Sequence, residues 1–352
     1  MERMTTPHPS HVAALWLVLA AGPAWPESAV VCVGINDTAA IQEAVDKAPF
    51  VSLVGQTCMI DARVGIRIPS DRTIDATGAT FTILPACQPR CKAFETIVGS
   101  RNIRFLNGTI IGDVANVSGV EWRIGWRVDG ADHVEVIGTT FQNWRTDGVW
   151  VGGNVPGSRN VRLSQLLIEG SGRNHISVSC GSHIRIERGV LRDIQTVPGK
   201  SKPDPGAGID IEPNPGELVT DLVISEVESY NNVKGIFVQP GHGGPCVNCY
   251  VRDNTVAGNS EWGIAVNSVD GGGVTQNRVS GSPIGITIGG ATEAMRARNL
   301  VVADNVVEAC TIGIRLPGIR DSEVVRNVHP GPITKPALGD AGDMLYRGNV
   351  QR

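Results

Sequence analysis

Down most of the chain, a glycine is followed by two apolar residues that flank a variable one. The pattern stands as Gly125-Trp126-Arg127-Val128, Gly148-Val149-Trp150-Val151, His175-Ile176-Ser177-Val178 and Gly208-Ile209-Asp210-Ile211. It continues as Gly235-Ile236-Phe237-Val238, Gly263-Ile264-Ala265-Val266, Gly285-Ile286-Thr287-Ile288 and Gly313-Ile314-Arg315-Leu316. Successive copies begin 22 to 33 residues apart. A second set of short alternations fills the intervals, among them Val134-Glu135-Val136, Val161-Arg162-Leu163, Ile184-Arg185-Ile186 and Leu222-Val223-Ile224. Asn254, Asn277 and Asn305 hold matching places in that set, as residues stacking at a corner would.

Alternation with period two predicts short strands bounded by Gly, Asn and Ser. A repeat of this length that yields two or three such strands is one coil of a solenoid. No coil buries its apolar face alone, so stacking makes the core. The Leu-x-x-Leu-x-Leu framework of leucine-rich repeats is absent, and the intervals are too short for the four strands of a propeller blade. The pattern predicts an all-β, right-handed parallel β-helix forming one domain over residues 30–352. Solenoid ends must be hidden from edge-to-edge pairing. In the cap expected over about 30–60, Asn36, Asp37 and Thr38 offer N-cap side chains, and Ile41, Ala44, Val45 and Ala48 form one helical stripe. Residues 330–352, rich in Gly and Pro, are expected to lie irregularly over the other end.

Composition fits this picture, with 43 glycines and 5% aromatic residues. A net charge of −4 gives no basic surface for nucleic acid. The apolar run Val12–Ala21 follows Arg3 and precedes small residues near Gly22 and Ser28-Ala29. It reads as a signal peptide over residues 1–29, too short to span a bilayer. The expected location is therefore secreted or periplasmic, with no stable membrane insertion after cleavage. All eight cysteines follow that segment, and an even count in an exported chain points to disulfides. Cys87 with Cys91, Cys246 with Cys249, and Cys32 with Cys58 are the candidate pairs; no histidine stands at finger spacing for zinc.

With the flanking apolar residues inward, the residue between them points out. The outward ladder is Arg127, Trp150, Ser177, Asp210, Phe237, Ala265, Thr287 and Arg315; two residues further on come Ser179, Glu212, Gln239 and Asn267. Aromatic faces beside carboxylates and amides suit sugar rings, which makes Arg127, Trp150, Ser177, Phe237 and Gln239 candidate substrate-binding residues. Asp210 and Glu212 share a strand face about 6.5–7 Å apart. They could coordinate Ca²⁺, form an acid and base pair, or orient a catalytic base. His175 is expected to project toward the same groove, with Arg173 and Lys234 as nearby cations that could serve as the base. The long coil over residues 193–207 predicts a rim loop carrying Lys200 and Lys202.

The stretch Asn-Asp-Thr-Ala-Ala-Ile-Gln-Glu-Ala-Val at 36–45, followed by such coils, resembles the pectate-lyase-like superfamily of lyases, polygalacturonases, epimerases and tailspikes. Arg145-Thr146-Asp147-Gly148 and Gly241-His242-Gly243 look like two of the four polygalacturonase motifs; Asn174-His175-Ile176 stands where the Asp-Asp pair belongs, and no Arg-x-Lys follows His242. Asp210-x-Glu212 resembles the acid-x-acid pair of calcium-dependent lyases, and Gly208-Ile209-Asp210 shares the aspartate of mannuronan epimerases without their histidine. The resemblance implies a polysaccharide or oligosaccharide substrate, with Asp147 and His242 among the residues that bind it. The expectation is a lyase that cleaves a uronate polymer by β-elimination. A polygalacturonase-like hydrolase, a C5-epimerase and a non-catalytic glycan-binding β-helix are the alternatives.

Overall fold

Three parallel sheets of 14, 10 and 12 strands run the length of the molecule, and each strand pairs with its counterparts one coil away. The structure is a computed structural model describing residues 27–84, 90–114, 122–197, 203–238, 244–290, 292, 296–329 and 345–351. The ten-stranded sheet is built from the Gly-apolar-x-apolar rungs, the 14-stranded sheet from the intervening alternations, and the 12-stranded sheet largely from three-residue strands. This is the parallel β-helix that the repeat predicts.

Register follows the sequence pattern. Arg127, Trp150, Ser177, Asp210, Phe237, Ala265, Thr287 and Arg315 are successive partners across the ten-stranded sheet. Their neighbours Val149, Val151, Ile176, Val178, Ile209, Ile211, Ile236, Val238, Ile264 and Val266 are buried in the core. The recurring glycine has a steric cause. A Cβ on Gly208 would stand 2.3 Å from Ser229 Oγ and 2.6 Å from the Gly235 carbonyl oxygen, because the corner brings this backbone against the interior.

Helix Thr38–Lys47 covers the first coil with Ile41, Ala44 and Val45 buried. Asn36 Oδ1 accepts from the Thr38 amide, while the Asp37 carboxylate accepts from the amides of Val33, Gly34 and Met59 and so ties the cap to the first coil. Cys32–Cys58 and Cys246–Cys249 are disulfides, Cys91 is also disulfide-bonded, and Cys180 and Cys310 are free and buried. Cys87 lies outside the described residues.

At the other end of the solenoid the asparagines form the expected stack and extend it. Asn254, Asn277, Asn305 and Asn327 each donate their backbone N–H and their Nδ2 to the Oδ1 of the next member, ending at Asn349.

Short strands extend the sheets at both ends of the described chain. Glu27–Ala29, expected within the signal segment, is a strand paired with Phe50–Ser52; the rest of that segment lies outside the described residues. Leu345–Arg347 and Val350–Gln351, expected to be irregular, continue two of the sheets because Glu323–Val325 and Val328–His329 still offer open edges.

Candidate functional site

Strands Asp147–Gly152, Asn174–Val178 and Ala207–Ile211 lie side by side in the ten-stranded sheet. On each, the corner glycine or histidine and the two apolar positions face the core, which leaves the residue before the corner and the central residue on the outer face. Asp147 and Asn174 are register partners at the first position, and Ser177 and Asp210 at the second. Asn174, Ser177 and Asp210 form one hydrogen-bonded set. Asn174 Nδ2 donates to Ser177 Oγ at 3.0 Å and to Asp210 Oδ2 at 2.9 Å, while its Oδ1 accepts from the Ala207 amide at 3.0 Å. Asp147 is buried beside this set. Arg173 Nε stands 3.2 Å from Asp147 Oδ1.

A cavity of about 380 Å³ opens over this set, lined by Trp122, Trp150, Arg173, Asp210, Glu212 and Glu217 among others. Asp210 is 1% exposed, and Glu212 is half-buried two residues along the same face. Burial first, then the neighbouring Glu212 and Asp147 carboxylates, hold the Asp210 carboxyl well above the usual carboxylate range, against the opposing pull of Arg173 and Asn174. Burial also raises Asp147, with Arg173 opposing. Asp210 Oδ1 is buried and makes no hydrogen bond, so one oxygen of this carboxyl is left for a ligand.

His175 does not face this cavity. It is fully buried on the core side of the corner, with Nδ1 3.0 Å from Ser171 Oγ and Nε2 3.1 Å from Asn232 Oδ1. Strand alternation fails here because the chain turns the corner between 174 and 176, placing two successive residues inside. The groove position is taken by Asn174, which the polygalacturonase comparison passes over. Desolvation pushes His175 down to about 4, so it is neutral and structural.

Lys234 lies one rung beyond Ala207, in register with it. Its Nζ donates to the Pro205 carbonyl at 2.8 Å, stands 3.6 Å from Glu261, and faces the rings of Phe237 and Trp262 at 5.1 and 5.5 Å. The ammonium is therefore committed to packing and a backbone bond. Trp150 and Phe237 are buried rather than open platforms: Arg127 covers Trp150 at 5.0 Å, and Trp262 covers Phe237 at 5.4 Å between centroids. Gln239, His242, Lys200 and Lys202 lie outside the described residues. Trp122 and Glu217 reach the cavity from segments outside the repeat, where periodicity carries no information about them.

Several solved structures share this scaffold. The Dettilon tailspike protein aligns with a TM-score of 0.72 at 16% identity over 92% of this chain, which spans 66% of the tailspike. The A-module of a mannuronan C-5 epimerase from Azotobacter vinelandii aligns with a TM-score of 0.68 at 12% identity, covering 91% of this chain and 96% of that one. A tailspike of an E. coli bacteriophage, in complex with a pentasaccharide, aligns with a TM-score of 0.67 at 13% identity over 91% of this chain and 63% of its own. A comparison with curated protein sequences finds no match. The family profile described as periplasmic copper-binding protein (NosD) matches residues 106–329, most of the solenoid, and the chain belongs to that family.

Proposed function

We propose that the protein is a glycan-cleaving β-helix whose Asp210 and Glu212 act as general acid and general base in glycoside hydrolysis. The observation that carries this reading is the raised, half-unpartnered Asp210 carboxyl beside a more open carboxylate on the same strand face. Asp210 would hold a proton for the leaving glycosidic oxygen, and Glu212 would draw a proton from the attacking water. Their i, i+2 separation, about 6.5–7 Å, falls in the range that leaves room for that water and inverts the anomeric centre. The Asn174 amide holds Asp210 in place, and Arg173 stands against Asp147 and offsets the remaining negative charge. The pentasaccharide held by one tailspike supports a glycan as the ligand class for such a groove. The family is periplasmic, in line with the secreted or periplasmic location expected from the leader. No helix among the described residues is long and apolar enough to cross a membrane.

The lyase expected from sequence needs a free base and a cation against the uronate carboxylate. Lys234 is held away from that role, Arg173 is paired with Asp147, and the cavity is lined by Asp210, Glu212 and Glu217 against one arginine. That acid excess favours the lyase in one form only, with a divalent cation such as Ca²⁺ on Asp210 and Glu212.

The family description also raises copper. Among the described residues, the one group of three His, Cys, Asp or Glu donors within 4.8 Å of one another is Cys32, Asp37 and Cys58. Both cysteines are spent in their disulfide, so this donor set does not fit copper.

Product analysis on a screen of polysaccharides decides between the readings. Hydrolysis gives new reducing ends without absorbance near 235 nm, is unaffected by chelation, and drops at least about a hundredfold in Asp210→Asn and Glu212→Gln. Unsaturated ends that vanish with chelator would replace hydrolysis by the calcium-dependent lyase. Wild-type turnover in both variants would remove the pair from the chemistry.

A further inference from the structure

Beside the carboxylate cavity lies a second one of about 200 Å³, lined by Arg90, Lys92 and Arg127 together with Cys91, Trp122 and Ile124. Trp122 lines both. Among the described residues no acid lines the second cavity; Glu95 and Asp129, which pair with Lys92 and Arg127, stand outside its wall. Arg127 Nε is buried and has no hydrogen-bond partner. One groove therefore changes character along its length, from three acids around Arg173 to three cations, with an indole at the border.

Trp122 is built for that border. Its φ of 68° is a left-handed conformation that bulky side chains rarely adopt, and its indole is 42% exposed. It meets Trp150 edge-on at 6.0 Å, with the Arg127 guanidinium 6.0 Å from its ring. The exposed face is thus backed by packed neighbours, as a stacking platform requires.

We infer that the groove takes an acidic glycan, with a carboxylate, sulfate or phosphate substituent seated among Arg90, Lys92 and Arg127 and the adjoining ring stacked on Trp122. This rests on reading the carboxylate cavity as the cleavage site, and it adds where the substrate's charge sits. The anionic oxygens take guanidinium and ammonium donors, including the unused Arg127 Nε. Glu212 and Glu217 in the first cavity repel the same group, so the two compartments together fix which glycosidic bond lies over Asp210 and Glu212.

The test is binding of full-length Asp210→Asn protein to paired oligosaccharides that differ only in charge. The pairs are oligogalacturonate with its methyl ester, and sulfated with unsulfated galactan oligosaccharides. The charged member of at least one pair should bind at least about tenfold more tightly, the size of one charge-assisted hydrogen bond, and lose that margin in high salt. Arg90→Gln with Lys92→Gln should remove the margin, and Trp122→Ala should weaken both members of the pair. Equal binding of charged and neutral members, an unchanged margin in the double variant, or no retained glycan would each overturn the inference. Charged glycans that bind wild-type protein but are not cleaved sink the hydrolytic reading alone. Cleavage of neutral glycans with no charge preference sinks this one alone.

Discussion

Asn174 and Asp210 stand on neighbouring rungs 36 residues apart in sequence, and the amide of one donates to the carboxyl of the other at 2.9 Å. The bond favours the ionised carboxylate, so it opposes the burial that keeps Asp210 protonated. Asn174→Ala should therefore push Asp210 higher still, moving the alkaline limb of the pH–rate profile to higher pH while turnover falls through lost positioning. It also strands the Ala207 amide and a buried carboxyl, at a cost of about 1–3 kcal/mol in urea unfolding. A limb that stays in place would separate Asn174 from the ionisation of Asp210.

Asp210 itself should weigh against stability at neutral pH. Its folded value is raised, so the unfolded chain loses the proton first as pH climbs. Stability from this group is complete below the ordinary carboxylate range and is lost as pH rises toward the folded value. Asp210→Asn should raise Tm at pH 7 and give little gain near pH 3. A uniform gain across that interval would point to packing rather than charge.

His175 carries the opposite sign. Its folded value is depressed from 6.5 to about 4, so its contribution is complete above pH 6.5 and is lost as pH falls through that window. The full effect is about 3 kcal/mol for a shift of this size. Urea unfolding between pH 7 and pH 4 should show the slope, and His175→Gln should flatten it. His175→Gln should also leave the pH dependence of turnover alone, since the imidazole faces Ser171 and Asn232 rather than the cavity.

The Cys32–Cys58 disulfide closes a sequence separation of 26 residues around the capping helix. Loop-closure entropy for that length gives about 3 kcal/mol. The Cys32→Ala/Cys58→Ala variant should lower the urea midpoint accordingly, with protease cuts appearing first near the cap. Unchanged stability would mean that Asp37 and its three amide bonds hold the cap alone.

The solenoid was legible because burial imposes the period. Ile176, Ile209 and Ile236 must face one another coil after coil, and a one-residue slip would expose them all. The outward ladder through Ser177 and Asp210 followed automatically. The corner was not legible: alternation places His175 in the groove, whereas the turn tucks it inside and gives the groove to Asn174. Trp122 and Glu217 were out of reach because they enter the cavity from connecting segments, whose course depends on contacts that no local pattern encodes. The exposure of Trp150 and Phe237 was misjudged for a related reason. Long side chains, Arg127 from the adjacent rung and Lys234 from the same one, lie across their rings.

The asparagine stack gives the molecule a unit of length. From Asn254 to Asn349 every member repeats the same bonds to the coil after it, so one coil is interchangeable with another in that half. Removing or duplicating a whole coil there, say the one between Asn277 and Asn305, would rejoin the amides in step, whereas a cut of half a coil would break them. The three rungs that carry Asp147, Asn174 and Asp210 lie before this stretch and take no part in it. The size of the protein can therefore drift in coil-sized quanta while its chemistry stays where it is.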